Sequence, residues 1–138
     1  AVIETSVGLD RTFLVLLSDA YEEEKIVEEG KEESRIVLRL SPKVAPITAA
    51  VFPLSKKLSE PAEKLEKDLR KHFRTEIDVS GSIGKRYRRY DEIGTPFAIT
   101  YDFDSEQDQC VTVRSRDSMK QERIAISQLR TYLETQIG

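Results

Sequence analysis

The chain has one cysteine, one histidine, one methionine and no tryptophan among its 138 residues. A lone Cys110 cannot close an internal disulfide. With only His72 to join it, there is no CxxC pair and no Cys/His spacing that would hold a metal, so no metal site is expected. No stretch approaches the 18 consecutive apolar residues of a membrane-spanning helix, and the start AVIETSVGLDR lacks the basic-then-apolar order of a secretory signal. These absences point to an intracellular protein with no membrane partner. What is present, 38% hydrophobic and 34% charged residues, suits one soluble domain with an attached segment.

The net charge of −3 conceals a split. Residues 1–40 hold 5 Lys/Arg against 10 Asp/Glu, whereas residues 41–138 hold 17 against 15. Most of the acidity lies in DAYEEEKIVEEGKEE (19–33), which has no apolar face. Its later part reads as a solvated hairpin or linker, and a boundary near Ser41 and Pro42 follows.

Before that boundary, VIETSVG reads as a short strand. Leu9, Phe13, Leu16, Leu17 and Ala20 then fall near helical spacing. After it, ITAAVFP between Pro46 and Pro53 suits a buried strand. A helix follows, with Ser59 as its cap, Ala62, Leu65, Leu69 and Phe73 on one face and Glu63, Lys64, Glu66, Lys67, Arg70 and Lys71 on the solvent face. RTEIDV is a second strand, and GSIGKRYRRYDEIG is a glycine-rich turn feeding a helix that stops at Gly94. In FAITYDF, Phe97, Ile99, Tyr101 and Phe103 share one face; in QCVTVRSR, Val111 and Val113 do; DSEQDQ is the turn between. ERIAI is a further strand, and SQLRTYLETQI a final helix capped by Ser127 that buries Leu129 and Leu133. The order β-α-β-α-β-β-β-α predicts an α/β fold. It has a mixed sheet of about five strands with parallel crossovers, covered by about three helices and preceded by a strand-helix unit.

Four cations and two tyrosines crowd into GSIGKRYRRY (81–90). A phosphate-binding loop would need glycine where Val79 stands and Ser or Thr where Arg86 stands. GSIG fits the GxxG clamp of a KH module, but that clamp joins two helices and this one follows a strand. The plain alternative is an exposed helix face. As a cluster the residues fit nucleic acid better, because phosphates reward guanidinium forks and unstacked bases reward tyrosines. Lys85, Arg86 and Arg89 are the candidate contacts, facing outward from the helix start, where an RNA phosphate would ease the positive end of the helix dipole. Arg114 and Arg116 are candidates from the neighbouring strand. His72 reads as a helix-end residue, and Asp102, Asp104 and Asp108 as solvated turn acids without calcium-loop spacing.

VIETSVGLDRTFLVLL, FPL, SGSIGKRYRRYDEIGTPFAITYDF and VTVRSRDS together resemble the C-terminal end of dimeric-type glycyl-tRNA synthetases, which are class IIa enzymes. The resemblance covers nearly the whole chain. ETSVGLDR resembles the third class II signature motif, and 41–138 resembles the class IIa anticodon-binding domain. The resemblance implies that 1–40 is the end of a catalytic domain with an acidic linker, and that the whole protein is a cytoplasmic homodimer joining glycine to tRNA(Gly) with ATP and Mg. Arg11 matches the catalytic arginine that contacts the ATP triphosphate, and Glu4 and Ser6 match residues set against the glycine ammonium. The first two class II motifs are not in these residues, so the expectation is a fragment that binds tRNA, holds no ATP or Mg and is inactive alone. Residues 8–20, made to pack on a catalytic sheet, are expected to be poorly ordered or buried against another copy or against 41–138. The alternative is a non-enzymatic nucleic-acid-binding accessory subunit with the same fold, which would not need ETSVGLDR intact.

Overall fold

The computed structural model describes the backbone of residues 2–28 and 30–138, and the side chains of residues 10–27 and 30–138. It opens with helix α1 (Val2–Ala20), followed by a hairpin of β1 (Tyr21–Glu28) and β2 (Lys31–Leu38). The VIETSVG strand is therefore a correction: these residues are helical. A strand satisfies its backbone only through a neighbour, whereas a helix satisfies it within the segment, and no described strand lies beside residues 2–8. Among the described side chains of 10–20 only Ala20 is buried, with Leu40 and Ala45, while Phe13 is 61% and Leu14 64% exposed in the single chain, so burial of this segment against 41–138 is limited to its last residue.

The remaining elements are β3 (Ala49–Pro53), α2 (Ser59–Arg70), β4 (Thr75–Ile77), α3 (Ile83–Glu92), β5 (Phe97–Tyr101), the one-turn α4 (Ser105–Asp108), β6 (Cys110–Ser115), β7 (Gln121–Ala125) and α5 (Ile126–Ile137). The sheet order is β4-β3-β5-β6-β7, with β3 parallel to both β4 and β5 and the last two pairings antiparallel. Parallel pairs need crossover helices, and α2 and α3 supply them. Every residue of β3 and β5 is buried, as expected of strands covered on both faces. On one face Ala49, Val51, Phe97, Ile99, Tyr101, Val111 and Val113 meet Leu58, Ala62, Leu65 and Leu69 below α2 and Leu129 and Leu133 of α5. On the other, Ala50, Phe52 and Ala98 meet Tyr90, Tyr87 and Ile83 of α3.

Several local expectations shift. The chain enters α2 through a 3-10 turn at Lys56–Leu58, and Ser55 rather than Ser59 accepts a bond there, from the Lys57 amide. Ser127 does not cap α5, which starts one residue earlier at Ile126. Glu66 is not on the solvent face: it is buried and accepts from Arg70 Nε and Nη2 at 2.9 and 2.8 Å and from Thr75 at 2.9 Å. Phe103 lies past the end of β5 and is exposed.

The acidic segment does form a hairpin, but as an eight-pair ladder docked on the sheet domain. Its anchor is Arg35, 1% exposed, which donates to Asp91 of α3 at 3.3 Å and to the Arg116 carbonyl at 2.7 Å, and pairs with Glu24 at 3.2 Å. Gly94 completes the joint. Its φ is +83°, and a Cβ there would stand 2.9 Å from Leu40 Cδ1 and 3.1 Å from the Leu38 carbonyl. Only glycine accepts both that backbone and that approach.

Candidate nucleic-acid interface

The glycine-rich turn works as its residues suggest. Gly81 takes φ +78°, Ser82 accepts from the Lys85 amide at 3.4 Å as N-cap, and α3 begins at Ile83. Helical spacing then divides the cations. Ile83, Arg86, Tyr87 and Tyr90 fall at i, i+3, i+4 and i+7 and face the sheet, while Lys85, Arg88, Arg89 and Glu92 look outward.

Arg86 is thus a correction to the outward-facing cluster. It is 5% exposed, and its guanidinium donates to the carbonyls of Pro53, Asp78 and Gly81 at 2.8, 3.1 and 3.3 Å, joining the ends of β3 and β4 to the turn before α3. Arg114 and Arg116 are also inside. Arg114 forks onto Asp91 at 3.0 and 3.2 Å and lies 4.7 Å from the Tyr87 ring centroid. Arg116, 2% exposed, donates to the carbonyls of Gly94 and Leu40 at 2.9 and 2.7 Å and to Asp117 at 3.0 Å. Strand alternation explains Arg114: with Val111 and Val113 on the α2/α5 face, it must enter the α3 face.

Asp91 therefore sits between two buried guanidiniums, Arg35 from the hairpin and Arg114 from β6. An unpaired buried charge would be costly, and each member of this group satisfies another. The Tyr87 hydroxyl shares a 2.8 Å bond with Thr100, and the Tyr90 hydroxyl donates to Glu76 at 2.9 Å. Burial first, then the Glu76 bond, pushes the Tyr90 hydroxyl well above its ordinary range, so it remains a donor.

The turn before α3 carries an acid, Asp78, that ties it to the far end of the helix. Arg89 pairs with Asp78 and donates to Ser80 at 3.0 Å. Burial acts to raise the Asp78 carboxyl, but the Ser80 amide and hydroxyl and Arg89 outweigh it and hold it below the usual carboxylate range.

Outside this buried frame lies a groove of about 620 Å³. Its walls are Lys85, Tyr87, Arg88, Arg89 and Glu92 of α3, Ile26 and Glu33 of the hairpin, and Arg114, Met119 and Gln121. Lys85 is exposed, and Arg88 pairs with Glu33 at 3.0 Å. The cations exceed the acids and an aromatic ring is part of the wall, chemistry that suits a nucleic acid. Of the sequence candidates, Lys85, Arg89 and Arg114 reach this groove; Arg86 and Arg116 do not line it. Arg88, part of the cation cluster but not among the named candidates, also lines the groove, and Arg35 and Asp91 beneath it carry no signal in the sequence analysis. Helical parity with Ile83 and Tyr90 was enough to turn Arg86 inward, but nothing local marks Arg35.

Arg11 is exposed on α1, and the side chains of Glu4 and Ser6 lie outside the described residues. Among the described residues no group of His, Cys, Asp and Glu is arranged to hold a metal, and no helix is long and apolar enough to cross a membrane.

Comparison with known proteins fits this geometry. The chain is 60% identical over 135 residues to a glycine–tRNA ligase of Caldanaerobacter subterraneus subsp. tengcongensis, covering 98% of this chain and 28% of that protein. It is 57% identical over 135 residues to the glycine–tRNA ligase of Alkaliphilus oremlandii, covering 98% and 29%. The chain thus spans under a third of the length of the curated relatives it matches. Among solved structures, the RNA binding domain of threonyl-tRNA synthetase from Cryptosporidium parvum superposes with TM-score 0.61 at 28% identity, over 65% of this chain and 23% of that one. A prolyl-tRNA synthetase from the same organism superposes with TM-score 0.67 at 24% identity, over 72% and 22%, a likeness of fold. Residues 48–136, which run from the residue before β3 to the last turn of α5, match the profile of the anticodon binding domain, and the chain belongs to that family.

Proposed function

We propose that this chain is the tRNA-binding part of a glycine–tRNA ligase, and that the groove between α3, the hairpin and the β6–β7 turn receives the anticodon arm of tRNA(Gly). The observation that carries the reading is the groove itself: exposed Lys85 and Arg89 and half-buried Arg88 beside Tyr87, on a chain of the anticodon-binding family. Phosphates would be held by Lys85 and the outward arginines. Arg86, Arg114, Arg116 and Asp91 would act beneath them, fixing α3 against the sheet and hairpin. Arg88 would exchange its Glu33 partner for phosphate, an exchange that costs little because both groups stay near water.

In the longer protein the proposed reaction is ATP-dependent attachment of glycine to tRNA(Gly) by a cytoplasmic homodimer, with Mg accompanying ATP. Residues 1–40 would close its catalytic domain and lead by the hairpin into the RNA-binding domain at 41–138. There Arg11 would contact the triphosphate, since a planar, permanently charged fork suits phosphate, and Glu4 and Ser6 would hold the glycine ammonium. The side-chain chemistry at each position agrees with the role.

The test is a salt titration of tRNA(Gly) transcript binding by fluorescence anisotropy. Replacing Lys85 and Arg89 together with Ala should weaken binding about tenfold or more and reduce the slope of log K against log salt by roughly 0.7–0.9 for each lost phosphate contact. Wild-type affinity and slope in that double variant would sink the assignment.

A further inference from the structure

The α3 face of the sheet continues beyond the groove. Register partners Arg114 and Gln121 line the groove, and the next row on the same face is Thr100, Thr112 and Arg123. Helix α3 reaches this row through the Tyr87–Thr100 bond, but Arg123 and Gln121 on β7 are exposed.

Arg123 is held unusually firmly for an exposed residue. Asp102, just past β5, takes one edge of its guanidinium, with Nη1 and Nη2 donating at 2.7 and 3.2 Å. Asp108, at the end of α4, takes the other, with Nε and Nη2 donating at 3.2 and 2.9 Å. Nη1 also donates to Thr112 at 3.3 Å. All three nitrogens are engaged in the guanidinium plane, yet the side chain keeps 34% exposure. What remains for a ligand is a flat π-face.

One guanidinium between two carboxylates carries a net negative charge, so this spot disfavours a phosphate. A planar uncharged group is not repelled, and an Arg plane is a known stacking surface for unpaired bases. The Thr112 hydroxyl borders that plane, and Gln121 stands two positions away on the same face of β7, both groups able to meet a base edge. We infer that Arg123, braced by Asp102 and Asp108, is a stacking platform for an unpaired nucleobase of the RNA whose backbone lies in the adjoining groove. The inference rests on the tRNA-binding reading and adds to it a division of labour: phosphates on α3, a splayed base on β7.

The experiment uses two probes, a tRNA(Gly) anticodon stem with its loop open and the same stem closed as a blunt duplex. Arg123→Lys keeps the charge and loses the plane. It should weaken the open-loop RNA by about tenfold while leaving the salt slope and duplex binding unchanged. A 2-aminopurine placed in turn at each loop position should be quenched by wild-type protein at one position, and that quench should vanish in the variant at saturating protein. The aminopurine scan of the wild type stands independently if the variant melts. Unchanged loop affinity with a lowered melting temperature would make Arg123 a structural brace and overturn the inference, as would a salt slope smaller by 0.7 or more, which marks a phosphate contact. A wild-type chain that binds neither RNA would overturn the tRNA-binding reading as well; binding indifferent to Arg123 overturns this inference alone.

Discussion

Between the sheet and helices α2 and α5 the filling is hydrocarbon: Leu58, Leu65, Leu69, Leu129, Leu133 and the valines of β6. Between the same sheet and α3 with the hairpin, the filling is Phe52, Tyr87 and Tyr90 together with Arg35, Arg86, Arg114 and Asp91. The first face is non-directional and tolerates exchange among apolar side chains of similar volume. The second depends on donors meeting acceptors at fixed angles, so it holds α3 in one orientation relative to the hairpin. A binding surface needs that fixed orientation, and a core does not. This contrast explains why so many arginines in an acidic protein lie inside it: they frame the groove.

The contrast is broken most severely at Asp91. Asp91→Ala leaves Arg35 and Arg114 buried without their shared carboxylate, and should cost about 3–5 kcal/mol by urea denaturation. It should also weaken tRNA binding in the protein that remains folded, because α3 and the hairpin lose their common tie. Leu129→Ala on the other face should cost about 2–5 kcal/mol through lost transfer energy and a cavity. Affinity measured well below its unfolding transition should stay at the wild-type value. Equal losses of affinity in the two variants would show that the faces do not divide stability from binding.

The smallest effect expected is a dependence on pH. The Arg123 bond first, then the Ser105 hydroxyl and amide, hold the Asp102 carboxyl below its usual range against its partial burial. A depressed carboxylate stabilises fully above its unfolded value of about 4 and loses that contribution as pH falls through the folded value. Wild-type stability should therefore drop on acidification below about pH 4. Asp102→Asn should flatten that limb while changing stability near neutrality by more than it does in acid. An unchanged acid limb in the variant would show that Asp102 takes no part in it.

Much of the sheet domain was legible in the chain. Alternation and apolar runs marked five strands, the i, i+3, i+7 spacing of Ala62, Leu65 and Leu69 marked α2, and the glycine-rich turn at 81–84 and Gly94 marked both ends of α3. These signals are local, because each states which side of its own element is apolar or which backbone conformation it permits. The groove was half legible. Clustering named Lys85 and Arg89, yet the same clustering placed Arg86 outside, although its position between Ile83 and Tyr90 turns it inward.

The sequence by itself determined the periodicities, the turns and the residue types from which an RNA-facing surface could be made. Only the tertiary structure decided which arginines were available for it. Whether Arg35, Arg86, Arg114, Arg116 or Arg123 faces water depends on carbonyls and carboxylates brought from segments far along the chain, as when Arg35 meets Asp91 across 56 positions and the Arg116 carbonyl across 81. A buried guanidinium is stable only with those partners, and no local pattern records where they will be.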